Sequence, residues 1–331
     1  MTTVCAYTET SRLLQHDFTI VDLGSANAST SRFLRPFLGS ITLVELDALS
    51  DSQTKPADFY RHISIRAAVS GVPGKRLFYK RRFSQCSSFL NYKPEQVNSY
   101  GLEHLFAPDG TLELDCTTLK SILTEHDLKH IDFLKTDLEG IDYEVLSSAP
   151  DIVGQTLVVQ AEVRFQPLYE GEPPFHIIDA FLTNLGFECI AFHPEIWKYP
   201  TIHQSIARDG RLNWADAIYF LNPQRVHEQF ANQAKVAFIK QIIIARSLGL
   251  WNYAEHLAEQ VKPLLSPAVK SELDQYLAPD DSLRTRLAIV AQALYRYRAL
   301  RSVLIGCGRV FRLLGRVLVI NPEHRHISIG C

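Results

Sequence analysis

Apolar runs of strand length alternate with stretches of helical periodicity from Phe18 to about Leu221, the pattern of a parallel sheet whose strands are joined by crossover helices. Seven runs have strand character: Phe18–Leu23, Ile41–Glu45, Ile63–Val69, Ile131–Thr136, Leu157–Val163, Phe187–Phe192 and Ala217–Leu221. An insertion from Ser70 to Asp115 separates the third from the fourth, and its Leu77-Phe-Tyr-Lys80 segment and Ser/Asn/Pro-rich stretch are expected to form hairpin and loop. After Asn222-Pro223 the pattern turns purely helical, with expected helices over Val226–Leu250, Trp251–Lys262 and Ala268–Leu277 and with Pro263 and Pro267 as stops. An α/β domain over residues 1–223 with a helical C-terminal extension over 224–331 is therefore expected.

Composition narrows the class without naming a chemistry. With 46% hydrophobic and 21% charged residues the chain is an ordinary globular one, and its formal charge of -2 provides no general attraction for nucleic acid. Six scattered cysteines, without a C-x-x-C pair or histidines at ligand spacing, suit a reducing compartment and indicate no metal centre. Met1 to Thr10 lack the basic start and apolar run of a signal peptide, so the expectation is a cytoplasmic protein.

The first strand ends in Asp22, followed by Gly24 and the small residues Ser25, Ala26, Asn27, Ala28 and Ser29. That composition permits a tight turn into a helix whose N-terminus faces a ligand cleft, as in Rossmann-like sheets. Glu45 closes the second strand 23 residues later, where a carboxylate can accept hydrogen bonds from both ribose hydroxyls. Spacing alone suits either NAD or S-adenosylmethionine. A dinucleotide, however, needs G-x-G-x-x-G to bring backbone amides against its pyrophosphate, and Gly24 is the only glycine between Asp22 and Leu38. S-adenosylmethionine has no phosphate, and its ammonium can be drawn toward a carboxylate such as Asp22.

Several ordered blocks between Phe18 and Leu221 resemble the FkbM family of methyltransferases. Val21-Asp-Leu-Gly24 and Val44-Glu-Leu-Asp47 are similar to its opening strand-loop and second strand, with Leu46 replacing the usual proline. Cys86-Ser-Ser-Phe-Leu90 and Thr117-Thr-Leu119 resemble two further segments, although Lys120 stands where Asp is usual. The most specific block, Ile131 to Leu146, carries Lys135, Asp137 and Gly140 in the family's K-x-D-x-x-G order. Val159 to Val163, Pro167 to Gly171, Phe181 to Phe187 and Trp214 to Ala217 then follow in sequence. The resemblance implies a class I methyltransferase fold with a mostly parallel seven-stranded sheet. It also implies methyl transfer from S-adenosylmethionine to an oxygen nucleophile, commonly a sugar hydroxyl or another small-molecule or glycan acceptor. Ala28 stands where glycine is common, and its extra methyl group either crowds the cofactor or shifts the loop.

On this reading Asp22, Gly24, Ser25, Asn27, Ala28, Glu45 and Ala68 form the cofactor side. Asp137 is the first choice for base or acceptor orientation, with Lys135 and Glu139 beside it. Equally, these three orient the loop or hold the cofactor. Ser87, Ser88, Glu162 and Tyr169 are expected as acceptor contacts. Oxygen ligands from the carboxylates would suit Mg²⁺, but no spacing rule demands a metal. The rivals are a degenerate, non-catalytic cofactor-binding scaffold of a glycan pathway, consistent with Ala28, Leu46 and Lys120, and an NAD-dependent oxidoreductase, disfavoured by the missing glycines.

Between Ser282 and Asn321 lie eight arginines and no Asp, Glu or Lys. On a helix, Arg298, Arg301, Arg309, Arg312 and Arg316 would fall within about 80° of one another, opposite an apolar face. Two arrangements fit this stripe: peripheral attachment to an anionic membrane at its inner face, or packing of the apolar face on the core or on a second subunit of an oligomer. Gly306, Gly308 and Gly315 weaken an isolated helix and favour packing.

Overall fold

Strands covered on both faces are near-continuous apolar runs, and those runs form the centre of the sheet here. A computed structural model describes residues 7–24, 34–49, 58–197 and 210–278. Its strands are β1 (Phe18–Leu23), β2 (Ile41–Leu46), β3 (Arg61–Ile65), β4 (Ala68–Val69), β5 (Gly74–Arg81), β6 (Pro108–Thr117), β7 (Phe133–Thr136), β8 (Val158–Arg164), β9 (Phe187–Trp197) and β10 (Arg211–Leu221). The α-helices are α1 (Thr8–Leu14), α2 (Pro94–Asn98), α3 (Glu103–Phe106), α4 (Leu119–Glu125), α5 (Asp142–Ser147), α6 (Pro150–Val153), α7 (Phe175–Asn184), α8 (Pro223–Phe230), α9 (Ala234–Ser247), α10 (Trp251–Val261) and α11 (Pro267–Leu277).

Seven strands form one sheet in the order β3-β2-β1-β7-β8-β10-β9. The first five run parallel, and β10 is antiparallel to both of its neighbours. This is the mostly parallel, Rossmann-like α/β fold expected from the sequence. Strand order switches direction at β1, which pairs in parallel with β2 on one side and β7 on the other. Ligand clefts form at the carboxyl ends of strands around such a switch point.

The expected third strand, Ile63–Val69, is two strands. β3 completes the large sheet, whereas β4 leaves it to pair with β6 in a three-stranded sheet, β4-β6-β5, built from the insertion. β9 and β10 are longer than expected because their far ends leave the core, where exposed and half-buried positions replace the continuous apolar run.

The expected helix over Val226–Leu250 is also two. Ala231 adopts φ 42°, and a 3-10 turn over Ala231–Gln233 separates α8 from α9 without a Gly or Pro to signal the break. Pro267 starts α11 instead of ending a helix, since the first turn needs no amide donor there, and Ser266 caps it through the Val269 amide. α9 is buried nearly all round. Its polar residues accordingly find partners: Lys240 Nζ lies 3.0 Å from Asp132 Oδ1, and Gln241 Nε2 donates to the carbonyls of Leu221 (2.8 Å) and Leu157 (3.2 Å). One apolar cluster runs from the sheet into α8–α11.

Among the described residues no helix is long and apolar enough to cross a membrane. The arginine stripe expected over 282–321 lies outside them, as do Ser25, Asn27 and Ala28.

Candidate active site

Parallel pairing fixes which side chains share a level and a face. Asp22 on β1 pairs in register with Glu45 on β2 and Lys135 on β7, and Lys135 pairs with Gln160 on β8. Four polar residues therefore cross the sheet in one row near its carboxyl edge. Asp22 and Lys135 are buried, and Lys135 Nζ lies 3.9 Å from Asp22 Oδ1 and 3.7 Å from Asp137 Oδ2. Glu45 stays reachable, its side chain 13% exposed.

Immediately above the row the chain must turn. Gly24 adopts φ +92°, and a Cβ there would lie 2.0 Å from the Asp137 carbonyl oxygen, so only glycine lets the two loops approach this closely. The Gly24 amide donates to the Leu46 carbonyl (2.9 Å) and the Asp137 amide to the Leu23 carbonyl (3.0 Å), which ties the ends of β1, β2 and β7 together.

The loop between β7 and α5 carries the chemistry. Glu139 occupies the left-handed region at φ 50°, followed by Gly140 at φ +98°. Non-glycine residues hold that conformation at a cost, and here the surroundings enforce it. Ser88 Oγ donates to the Glu139 carbonyl at 2.6 Å. Arg164 Nη2 lies 2.7 Å from Glu139 Oε2, and the Tyr169 hydroxyl donates to the same oxygen at 2.9 Å. A Cβ on Gly140 would press on Tyr169 at 3.1 Å and Glu172 at 3.2 Å.

Arg164 is the hub of the site. Its guanidinium reaches Glu139 and Glu162 at 2.7 Å each and Glu172 at 3.2 Å, and it faces the rings of Trp214 (5.6 Å) and Tyr169 (5.9 Å). Glu172 in turn accepts from the amides of Leu168 (2.6 Å) and Tyr169 (3.0 Å), fixing the loop after β8. Burial works against the Arg164 charge, yet Glu162, Glu139 and Glu172 overcome it and hold its pKa well above the ordinary value.

The carboxyls show the opposite balance. Burial, opposed by Arg164, pushes Glu139 up to about 8 and Glu162 well above the usual range. Asp142, at the start of α5, rises to about 7, again chiefly through burial with Asp137 adding to it. Six carboxyls, those of Asp22, Asp137, Glu139, Asp142, Glu162 and Glu172, thus surround two cations, Lys135 and Arg164. One oxygen from each of Asp137, Glu139 and Glu162 lies within 4.8 Å of the others, a separation that a cation can span. Arg164 already bridges two of the three.

Among the other expected residues, Ser87 and Ser88 lie in the loop beside this cluster. Ser87 Oγ accepts from the Arg81 amide at 3.0 Å, while Ser88 supports Glu139. Both serines and Tyr169 are buried, and Tyr169 also lies 3.1 Å from the Cys86 carbonyl, so Ser88 and Tyr169 hold the loop around Glu139 while Ser87 ties its own loop to the end of β5. Ala68 belongs to the small sheet, paired with Cys116. Arg164, Glu172 and Asp142 had no assigned role at the level of sequence. A strand period of two places Arg164 on the same face as Glu162, the one sequence signal that pointed to it.

A family model described as "Methyltransferase FkbM domain" matches residues 27–189. The match includes Glu45, the Glu139 loop and the Arg164 cluster, and it begins just beyond Asp22 and Gly24. No curated protein and no solved structure is significantly similar to the chain.

Proposed function

Residues 27–189 belong to the FkbM methyltransferase family, and on that premise we propose that the protein transfers the methyl group of S-adenosylmethionine to a hydroxyl of a sugar or of another small-molecule or glycan acceptor. The observation that carries this reading is the gathering of carboxyl groups at the strand ends, more of them than cations, beside the tight Gly24 turn. A donor with a net positive charge suits such a cleft, whereas a dinucleotide pyrophosphate would meet carboxylates without the glycine-rich amide cradle. When bound, this cofactor supplies an activated methyl group whose departure is already favourable.

The chain's own residues then have positional work. Glu45 accepts from the ribose hydroxyls at the edge of the cleft. Asp22, fully buried, lies 3.9 Å from Lys135 Nζ and holds it beneath the Gly24 turn. Lys135 in turn holds Asp137, whose side chain is 25% exposed and reachable by an acceptor. Glu139 is the better base of the two. Its raised pKa lies close to working pH, and its Oε2 is aimed by both Arg164 and Tyr169. Asp137, first choice on sequence grounds, becomes the orienting group beside it. Alignment of the acceptor oxygen and exclusion of water supply much of the remaining rate.

The test is transfer from labelled S-adenosylmethionine to a panel of glycans and to small-molecule extracts. Wild type is expected to label an acceptor, and Glu139→Gln to lower kcat by about 10²- to 10⁴-fold with donor affinity retained. Donor binding without transfer to any acceptor would favour a non-catalytic scaffold, and a wild type that bound no donor would defeat the proposal.

A further inference from the structure

Glu45 is the group that this reading assigns to the ribose, and one of its two oxygens is already occupied. His62 Nε2 lies 2.6 Å from Glu45 Oε2. The contact follows from the register of β2 and β3: Glu45 pairs with Ser64 and Leu43 with His62, so His62 stands one two-residue step back on the same face. Its ring reaches forward along the strands to the carboxylate, with Phe59 beside it at 6.4 Å between ring centroids. Among the described residues no other side chain or amide meets Glu45.

The pair is not demanded by the packing of the core. The His62 and Glu45 side chains are 17% and 13% exposed, β3 is the edge strand of the large sheet, and none of its five residues is buried. Both groups keep some contact with water, so breaking this hydrogen bond costs the fold less than breaking one sealed in the core. What the contact does is orient. An unrestrained glutamate spreads over many rotamers and loses that freedom whenever a ligand fixes it. A short hydrogen bond to Oε2 removes much of that freedom in advance and leaves Oε1 available to a ligand at the carboxyl end of β2.

We propose that His62 is the positioning residue for the cofactor's ribose: it clamps one oxygen of Glu45 so that the carboxylate waits in its binding orientation. The proposal rests on the donor reading above and concerns binding, not the chemical step. It predicts that His62 matters only through Glu45.

Calorimetric titration of the full chain with S-adenosylhomocysteine, which carries the same ribose and does not react, separates the outcomes. His62→Ala should weaken binding by about tenfold, with melting temperature and kcat at saturating donor near wild type. His62→Gln should recover most of the affinity, because its amide can donate to the same oxygen. Glu45→Ala should weaken binding at least as much, and adding His62→Ala to it should change nothing further. Wild-type affinity in His62→Ala, or full additivity with Glu45→Ala, would overturn the positioning role while leaving the donor reading intact. A wild type that did not bind S-adenosylhomocysteine would overturn the donor reading and this proposal together.

Discussion

Gly24 and Glu139 show how far single residues decide this site. Gly24 was visible in the sequence as a turn after a strand, but the reason it must be glycine is tertiary: the Asp137 carbonyl occupies the space of a Cβ. Gly24→Ala is expected to lower the urea midpoint, with about 1–2 kcal/mol from the left-handed backbone alone, and to abolish S-adenosylhomocysteine binding. An unchanged midpoint and affinity would contradict the close approach. For Glu139 the sign of the pH effect follows from its state. A carboxyl raised to about 8 is neutral below that pH and anionic above it. If it is the base, wild-type kcat should rise with pH through about 8, and Glu139→Gln should lose that step. Asp22, Glu45, Asp137 and Glu139 were legible because acids at the ends of buried strands stand out against apolar runs. Arg164, Glu172 and His62 were not, because a polar residue at the end of a strand, in a loop or on an edge strand takes its meaning from the neighbours that the fold brings to it.

At the level of elements, buried blocks were the legible ones. β1, β2 and β8 match their apolar runs to within a residue or so, whereas β9 and β10 continue past theirs, where backbone pairing outlasts core burial. The break between α8 and α9 at Ala231 has no Gly or Pro to mark it and is imposed by docking each helix on the sheet. That docking has a polar anchor. Lys240 reaches Asp132, which also accepts from the Thr19 amide at 2.8 Å. Burial alone would raise the Asp132 carboxyl, but Lys240, His130 and the Thr19 amide overcome it and hold it below the usual range. A depressed carboxylate contributes stability above its unfolded pKa and loses it as pH falls through the folded one. Lys240→Met should therefore cost about 3–5 kcal/mol in denaturant unfolding at neutral pH, with acid unfolding shifted to higher pH. A loss below about 1 kcal/mol would mean that water reaches the pair.

For the whole molecule, the sequence suggested a domain over 1–223 with a helical appendage, yet one apolar cluster includes residues on both sides of that boundary, among them Val158, Phe220, Phe238, Ile242 and Leu257. Glu272 on α11 also accepts from the Thr10 backbone amide at 2.8 Å and from the Glu9 amide at 3.0 Å, so the far end of the helical layer holds α1. A chain truncated after residue 223 is expected to lose cooperative unfolding, monitored by circular dichroism against urea, and a sharp wild-type-like transition would show that the sheet is self-sufficient. The proposed roles all require a positively charged methyl donor, and direct calorimetric titration of the intact protein with S-adenosylmethionine, S-adenosylhomocysteine and NAD tests this most plainly. Saturable binding of the first two, none of NAD, and loss of binding in Gly24→Ala are predicted. Binding of NAD alone, or of none of the three, would contradict the account.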